Sequence, residues 1–243
     1  MSKKISLKQF LMRTGKFERM KDCEKAIRSG NASIGSKIIT NPNFFFNPDR
    51  HLVKIGDEKL RKAPKLYFLI NKPAGCLSQK SEGEKTIYDL IGKLDIPNEH
   101  KKSLFAVGRL DKDTEGLLIL TNDGMLSDLL ANPENKISKK YYAMLEKPAD
   151  KNKIKTLEKG IEIEVEYKKY KTKPCKIKIV KEKEAYITVS EGKKRQIRKM
   201  FEAIGNKIVY LKRVSIAGLQ LGKLEAGEIK PITREEIMEK MNF

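Results

Sequence analysis

The stretch that most constrains this chain is Gly116-Leu117-Leu118-Ile119-Leu120-Thr121, closed by Asn122-Asp123-Gly124. Four consecutive apolar residues bounded by glycine and a turn tripeptide read as a strand buried on both faces. Such a strand needs a sheet around it. The loop that feeds it, Gly108-Arg109-Leu110-Asp111-Lys112-Asp113-Thr114-Glu115, is dense in charge and sits at the end of that sheet. A carboxylate there, next to the core and beside a cation, can stay ionised in a partly dry site and act as a nucleophile. A polar connection with solvated acids is the ordinary alternative, and composition alone favours it.

The other segments supply the sheet. Leu66 to Ile70 and Leu104 to Val107 are apolar and strand-like. In Ile137 to Leu145, Lys139, Tyr141 and Ala143 fall on one side by period two and Tyr142 on the other. Residues 150 to 192 read as strands joined by lysine-rich turns, with clean alternation in Ile161 to Val165 and Lys176 to Ile179. Helices are expected over 86 to 94, over Met125 to Leu130 with both ends of that span on the apolar face, and over 193 to 204. In the last of these, Ile197, Met200, Phe201 and Ile204 form the core stripe and Arg198 its border. Thr233 and Glu236 form a capping-box pair before a terminal helix.

At the N-terminus, Ser6 caps a short helix with Leu7, Phe10 and Leu11 on one face, and Gly15 stops it. A second helix from about Arg19 to Ser29 carries Met20, Cys23, Ala26 and Ile27 inward, and Arg19, Lys21, Lys25 and Arg28 outward. Short strands follow at Ala32 to Thr40 and Leu52 to Ile55, and Arg61-Lys62-Ala63-Pro64 is the expected linker.

Charge points to the partner. Lys and Arg number 52 against 32 acidic residues, a formal +20. Residues 1–62 alone hold 15 basic and 6 acidic residues, so the excess is densest there. A surplus of this kind suits a polyanion, most simply nucleic acid. Cys23, Cys76 and Cys175 form no CxxC pair, and with only His51 and His100 to join them a zinc site or disulfide framework is not expected. No apolar run approaches a membrane span, and no signal segment is visible, so a cytoplasmic protein is expected.

Three motifs in order then narrow the class. Asn71-Lys72-Pro73-Ala74-Gly75 precedes the Gly108 to Gly124 stretch, which is followed by Lys139-x-Tyr141-x-Ala143 and by Arg195-Gln196-Ile197-Arg198-Lys199-Met200. Together they closely resemble the ribosomal RNA pseudouridine synthases of the Rsu family. Residues 1–62 resemble the RNA-binding module named after ribosomal protein S four, with departures at Ile34-Gly35-Ser36-Lys37 and at Phe44 to Phe46. The resemblance implies an α+β fold, with a mixed, mostly antiparallel sheet and a central cleft over 63–243, plus a small α+β module over 1–62. It implies Asp111 as the catalytic carboxylate, framed by Arg109, Thr114 and Gly116. It implies Arg198 as the ion-pair partner of Asp111, and Tyr141 packing on the target uracil. Lys72 is either support beneath the site or a solvent-facing turn residue.

Arg109, Lys139, Arg195, Gln196 and Lys199, with Arg19, Lys21, Lys25 and Arg28, are the expected RNA contacts. The implied reaction cuts the N-glycosidic bond of a uridine, turns the base and rejoins it through carbon. It adds no group and changes no oxidation state, so no cofactor and no metal are expected. The partner is ribosomal RNA or an assembling ribosomal particle, with no membrane, and the chain is expected to act as a monomer. A non-catalytic RNA-binding ribosome assembly factor is the alternative.

Overall fold

The computed structural model describes residues 4–61 and 63–241. Lys62, in the expected linker, lies outside them. The chain divides into two compact units, one of Met1–Leu66, Ile91–Phe105 and Thr121–Asp123, the other of Tyr67–Leu90, Ala106–Leu120 and Gly124–Phe243.

The first unit begins with β1 (Ile5–Ser6), α1 (Leu7–Arg13) and α2 (Met20–Arg28). Ser6 and Gln9 form a reciprocal capping box at α1, which satisfies two of the orphan donors of its first turn. There follow β2 (Ala32–Ile34), β3 (Lys37–Ile38), β4 (Phe45–Phe46), β5 (Val53–Ile55) and β6 (Glu58–Leu60). Four of these make a small sheet in the order β3-β2-β5-β6, while β4 pairs with β1. Leu7, Phe10, Leu11, Cys23, Ile27, Ala32 and Val53 build its core. Met20, expected inward, is 42% exposed, and the buried residues of α2 are Cys23 and Ile27.

Asn122 and Asp123, expected as turn residues, are instead buried in this unit. The Asn122 amide donates to Pro64 O at 2.9 Å and accepts from Leu66 N, and Lys65 Nζ meets Asp123 Oδ2 at 2.7 Å. The turn is thus a polar knot tying down the chain at 64–66.

Onward the chain runs β7 (Tyr67–Lys72), α3 (Ile87–Ile91), α4 (Asn98–Ser103), β8 (Phe105–Ala106), β9 (Glu115–Thr121), α5 (Gly124–Ala131) and β10 (Lys139–Leu145). Next come α6 (Lys151–Lys159), β11 (Glu162–Val165), β12 (Lys168–Lys171), β13 (Lys176–Lys181), β14 (Glu184–Val189) and α7 (Gln196–Ala203). The last elements are β15 (Ile208–Ile216), β16 (Leu219–Gln220), β17 (Ile229–Pro231) and α8 (Arg234–Met241). A nine-stranded sheet has the order β13-β14-β10-β15-β9-β7-β17, with β16 on β15 and β8 on β9. The pairings β13–β14, β14–β10, β10–β15, β15–β16 and β7–β17 are antiparallel, and β9 runs parallel to β15. The fold is α+β, as the resemblance implied.

Leu117, Leu118, Ile119 and Leu120 have no exposed surface, so β9 is buried on both faces. Where it meets β15, Gly116 lies opposite Arg213 with φ +112°, and a Cβ there would stand 2.2 Å from Arg213 O. No side chain fits, which is why the loop carrying Asp111 must enter the sheet through glycine.

Three expectations for this unit need correction. Lys151–Lys159 is a helix, not part of a strand-and-turn run; Asp150 caps it, and Ile154 and Leu157 are its only buried residues. Helix α7 starts at Gln196 rather than Lys193, since Arg195 takes a left-handed conformation, φ +53°. On α5, Leu126 and Leu130 are buried, but Met125 is 45% exposed.

Candidate active site

The loop before β9 is pinned on both sides of Asp111. Ser78 Oγ accepts from Leu110 N at 3.0 Å and donates to Leu110 O at 2.9 Å. On the other side, Lys112 O accepts from Gly75 N at 2.8 Å and from Lys72 Nζ at 3.2 Å. Lys72 is fully buried, and its ammonium also donates to Cys76 O at 2.6 Å and Pro73 O at 2.9 Å. Of its two readings, support beneath the site is the one observed. Burial lowers its pKa, and the cysteine and carboxylates nearby oppose that shift.

Asp111 itself, half-buried, has no hydrogen bond or ion pair on its carboxylate among the described residues. It lines a cavity of about 510 Å³ together with Arg109, Tyr141, Arg195, Gln196 and Arg198. Burial pushes its carboxyl above the ordinary aspartate range; the Arg195 guanidinium pulls it back, Asp113 adds to the rise, and Arg198 and Lys72 oppose it.

Arg198 is 6% exposed, and its guanidinium is aimed by Ile208 O, 2.9 Å from Nη1. Its Nη2 meets Asp113 Oδ2 at 3.2 Å and Asp113 O at 3.3 Å. The expected pair with Asp111 is therefore not the one formed. Asp113, two residues on and more exposed, reaches both Arg198 and Arg195, whose Nη1 lies 3.2 Å from Oδ2. Asp111 feels both cations through space only.

Tyr141 is 8% exposed and sits on β10 between Ile187 of β14 and Arg213 of β15. The register with β15 shifts between Lys140 and Tyr141, an irregularity of the kind that re-aims a side chain next to a site. Tyr142, on the other face, joins Tyr186 and Tyr210 in a ring cluster, with centroids 5.6 and 6.2 Å away.

Three of the expected RNA contacts make hydrogen bonds within the chain. Gln196 is 4% exposed and donates to Glu191 Oε1 at 2.6 Å. Lys199 donates to Glu164 O at 2.5 Å, tying β11 to α7. Lys139 is half-buried, its pKa lowered by burial and then by Arg213, and its Nζ lies 3.3 Å from Ile137 O. Arg109 and Arg195 do face the cavity. On α2, Lys21, Lys25 and Arg28 are exposed, while Arg19 is paired with Asp22 at 2.9 Å.

Ser78, Asp113 and Glu191 were not singled out from the sequence. Glu191 is buried and accepts from Tyr170 Oη, Lys173 N and Gln196, so one carboxylate joins the β11–β12 hairpin to the start of α7. The Tyr170 hydroxyl, held on that carboxylate, is pushed up to about 12. Only Asp113 had a signal, its place inside the central loop.

Residues 66–203 match the family model for RNA pseudouridylate synthase. An RNA pseudouridine synthase of Aquifex aeolicus is 34% identical over 240 residues, covering 96% of this chain and 92% of the relative. Ribosomal large subunit pseudouridine synthase B of Bacillus subtilis is 33% identical over 95% of this chain and 93% of its own. Ribosomal small subunit pseudouridine synthase A of Haemophilus influenzae is 35% identical over 88% and 90%. A crystal structure of a pseudouridylate synthase superposes with a TM-score of 0.68 at 32% identity, over 98% of this chain and 99% of that one. The chain belongs to the RNA pseudouridylate synthase family, with the Rsu-type enzymes among its relatives. It is an isomerase.

The shifts at Asp111 give a pH prediction. An acid whose pKa is raised ionises at higher pH, so activity that needs its carboxylate falls as pH drops through that raised value. Arg195→Ala removes the strongest opposing cation and should move the acid limb of the kcat/KM profile to higher pH. Asp113→Asn, which removes an anion that raises the pKa, should move it lower. Limbs that stay put in both variants would rule out Asp111 as the titrating group.

Proposed function

We propose that this chain converts uridine to pseudouridine in ribosomal RNA, with Asp111 as the catalytic carboxylate. The observation that carries the reading is a carboxylate with no partner among the described residues, on a doubly pinned loop and facing a cavity lined by guanidinia and a tyrosine. Relatives named for both the large and the small ribosomal subunit support the ribosomal target.

The glycosidic carbon of a stacked uridine is out of reach, so the nucleotide must leave its helix. Flipping costs a few kcal/mol, which contacts to the backbone offset. Arg109 and Arg195 are placed to take phosphate, and Tyr141 covers the base. Asp111 then starts the isomerisation, by attack on sugar or base or by removing a sugar proton. Arg198 lowers the cost of its negative charge from close by. Residues 1–62 act as the ribosomal-protein-S-four-type docking module, through the exposed cations of α2. The enzyme works as a monomer in the cytoplasm on free or assembling ribosomal RNA.

No helix among the described residues is long and apolar enough to cross a membrane. The test is to map pseudouridines in both ribosomal RNAs from cells with and without this gene. One or a few sites should vanish with the gene and return with it. Identical maps would defeat the proposal.

A further inference from the structure

The three phenylalanines that depart from the module's usual pattern have separate fates. Phe46 is buried and meets Phe10 edge-on at 5.5 Å in the core. Phe44 and Phe45 are 37% and 60% exposed. Their backbone is nonetheless fixed. Phe44 O accepts from Leu7 N at 2.9 Å, Phe44 N donates to Asn41 O at 3.0 Å, and Phe45 is in register with Ser6 across β1 and β4. Two rings are thus carried on a hydrogen-bonded backbone and left partly exposed among the described residues.

They border a groove of about 670 Å³ whose lining also includes Lys4, Lys37, Arg50 and His51 and includes no carboxylate. Neither Lys4, Lys37 nor Arg50 forms an ion pair with any described residue. His51 is set in place by Asn47 O at 3.0 Å and by the Phe46 ring. None of the α2 cations lines this groove.

Fixed aromatic faces among uncompensated cations are what an unpaired nucleic-acid strand recognises. The ring takes a base by stacking, and the cations take the flanking phosphates. A protein partner would need acidic groups to match the same cations, and that match alone would leave the exposed rings unexplained. We propose that this groove is a second RNA site, holding an unpaired nucleotide stacked on Phe45, with Lys37 and Arg50 on the adjoining backbone. It rests on the reading of RNA as substrate and extends it: the module grips a single-stranded segment here, apart from the α2 face.

The test uses the full chain, titrated with oligouridylate carrying a fluorescent base and with protein-free ribosomal RNA. Phe45→Ala should weaken oligouridylate binding about 5- to 150-fold, the range alanine substitution gives at stacking sites. Phe45→Tyr should restore it and Phe45→Leu should not, because leucine keeps apolar area without a π face. Lys37→Gln and Arg50→Gln should each reduce the salt slope by about 0.7. Phe45 is exposed, and matched melting temperatures check that the fold is kept. Unaltered affinity in Phe45→Ala, or full rescue by Phe45→Leu, overturns the proposal and leaves the groove to a protein or to the chain's own first residues. Binding needs no turnover, so a chain that makes no pseudouridine yet shows this pattern supports the groove and sinks the enzymatic reading alone.

Discussion

Asp111→Asn is expected to abolish pseudouridine formation, with kcat falling by about 10⁴-fold or more, the scale at which loss of a reacting group is usually felt. Fold and RNA affinity should survive. The Asp111 carboxylate holds no hydrogen bond among the described residues, so the amide breaks none; Ser78, Lys72 and Gly75 hold the loop through backbone atoms that the substitution leaves in place. The sign of the stability change follows from the raised pKa. Above that pKa the folded state carries an ionised group that burial disfavours, and the neutral amide removes this penalty. At neutral pH the melting temperature should equal or slightly exceed that of the unaltered chain, and below the ordinary aspartate pKa the difference should vanish. The measurements are single-turnover assays on ribosomal RNA and melting curves at two pH values. Turnover near the unaltered rate would end the assignment of Asp111.

Arg198→Ala should be the second most damaging change, and it should damage both activity and fold. The guanidinium is buried, bonded to Ile208 O, and shared with the side chain and backbone of Asp113. Removing it strands a buried carbonyl and leaves a hole, which costs about 2–3 kcal/mol. The Asp113 ion pair adds little, since that carboxylate is half in solvent. Loss of a cation close to Asp111 should lower kcat by about 10²- to 10³-fold. Arg198→Lys separates the roles: one ammonium keeps the charge but cannot serve Ile208 and Asp113 together. It should recover part of the activity and little of the stability. A lysine variant as active and as stable as the unaltered chain would show that the planar fork matters to neither.

Much of this was legible in the residues. The β9 core strand, the sidedness of Tyr141 against Tyr142 and the Ser6 cap all follow from period and from capping chemistry, which are local. Helix α6 escaped because only Ile154 and Leu157 among its nine residues are buried, too few to set a period against a background of lysine. The partner of Arg198 escaped for another reason. Asp111 and Asp113 lie two residues apart in one loop, and which of them meets the guanidinium is decided by how that loop turns, not by any spacing. Ser78 acts on a backbone 32 residues away, and an isolated serine carries no sign of such a partner. Gln196 lies beside the cations of its motif, yet a left-handed Arg195 just before it rotates its amide inward to Glu191.

Lys72 has one more consequence. Its three ammonium hydrogens face three peptide oxygens, a set only the protonated form can fill, and no part of it touches solvent. Mobile ions therefore cannot gather around this charge as they do around Arg109 at the rim. The potential it casts on the loop that carries Asp111 is therefore indifferent to the surrounding electrolyte. Adding salt should loosen the grip on RNA while leaving the chemistry of an already captured uridine running at its own pace.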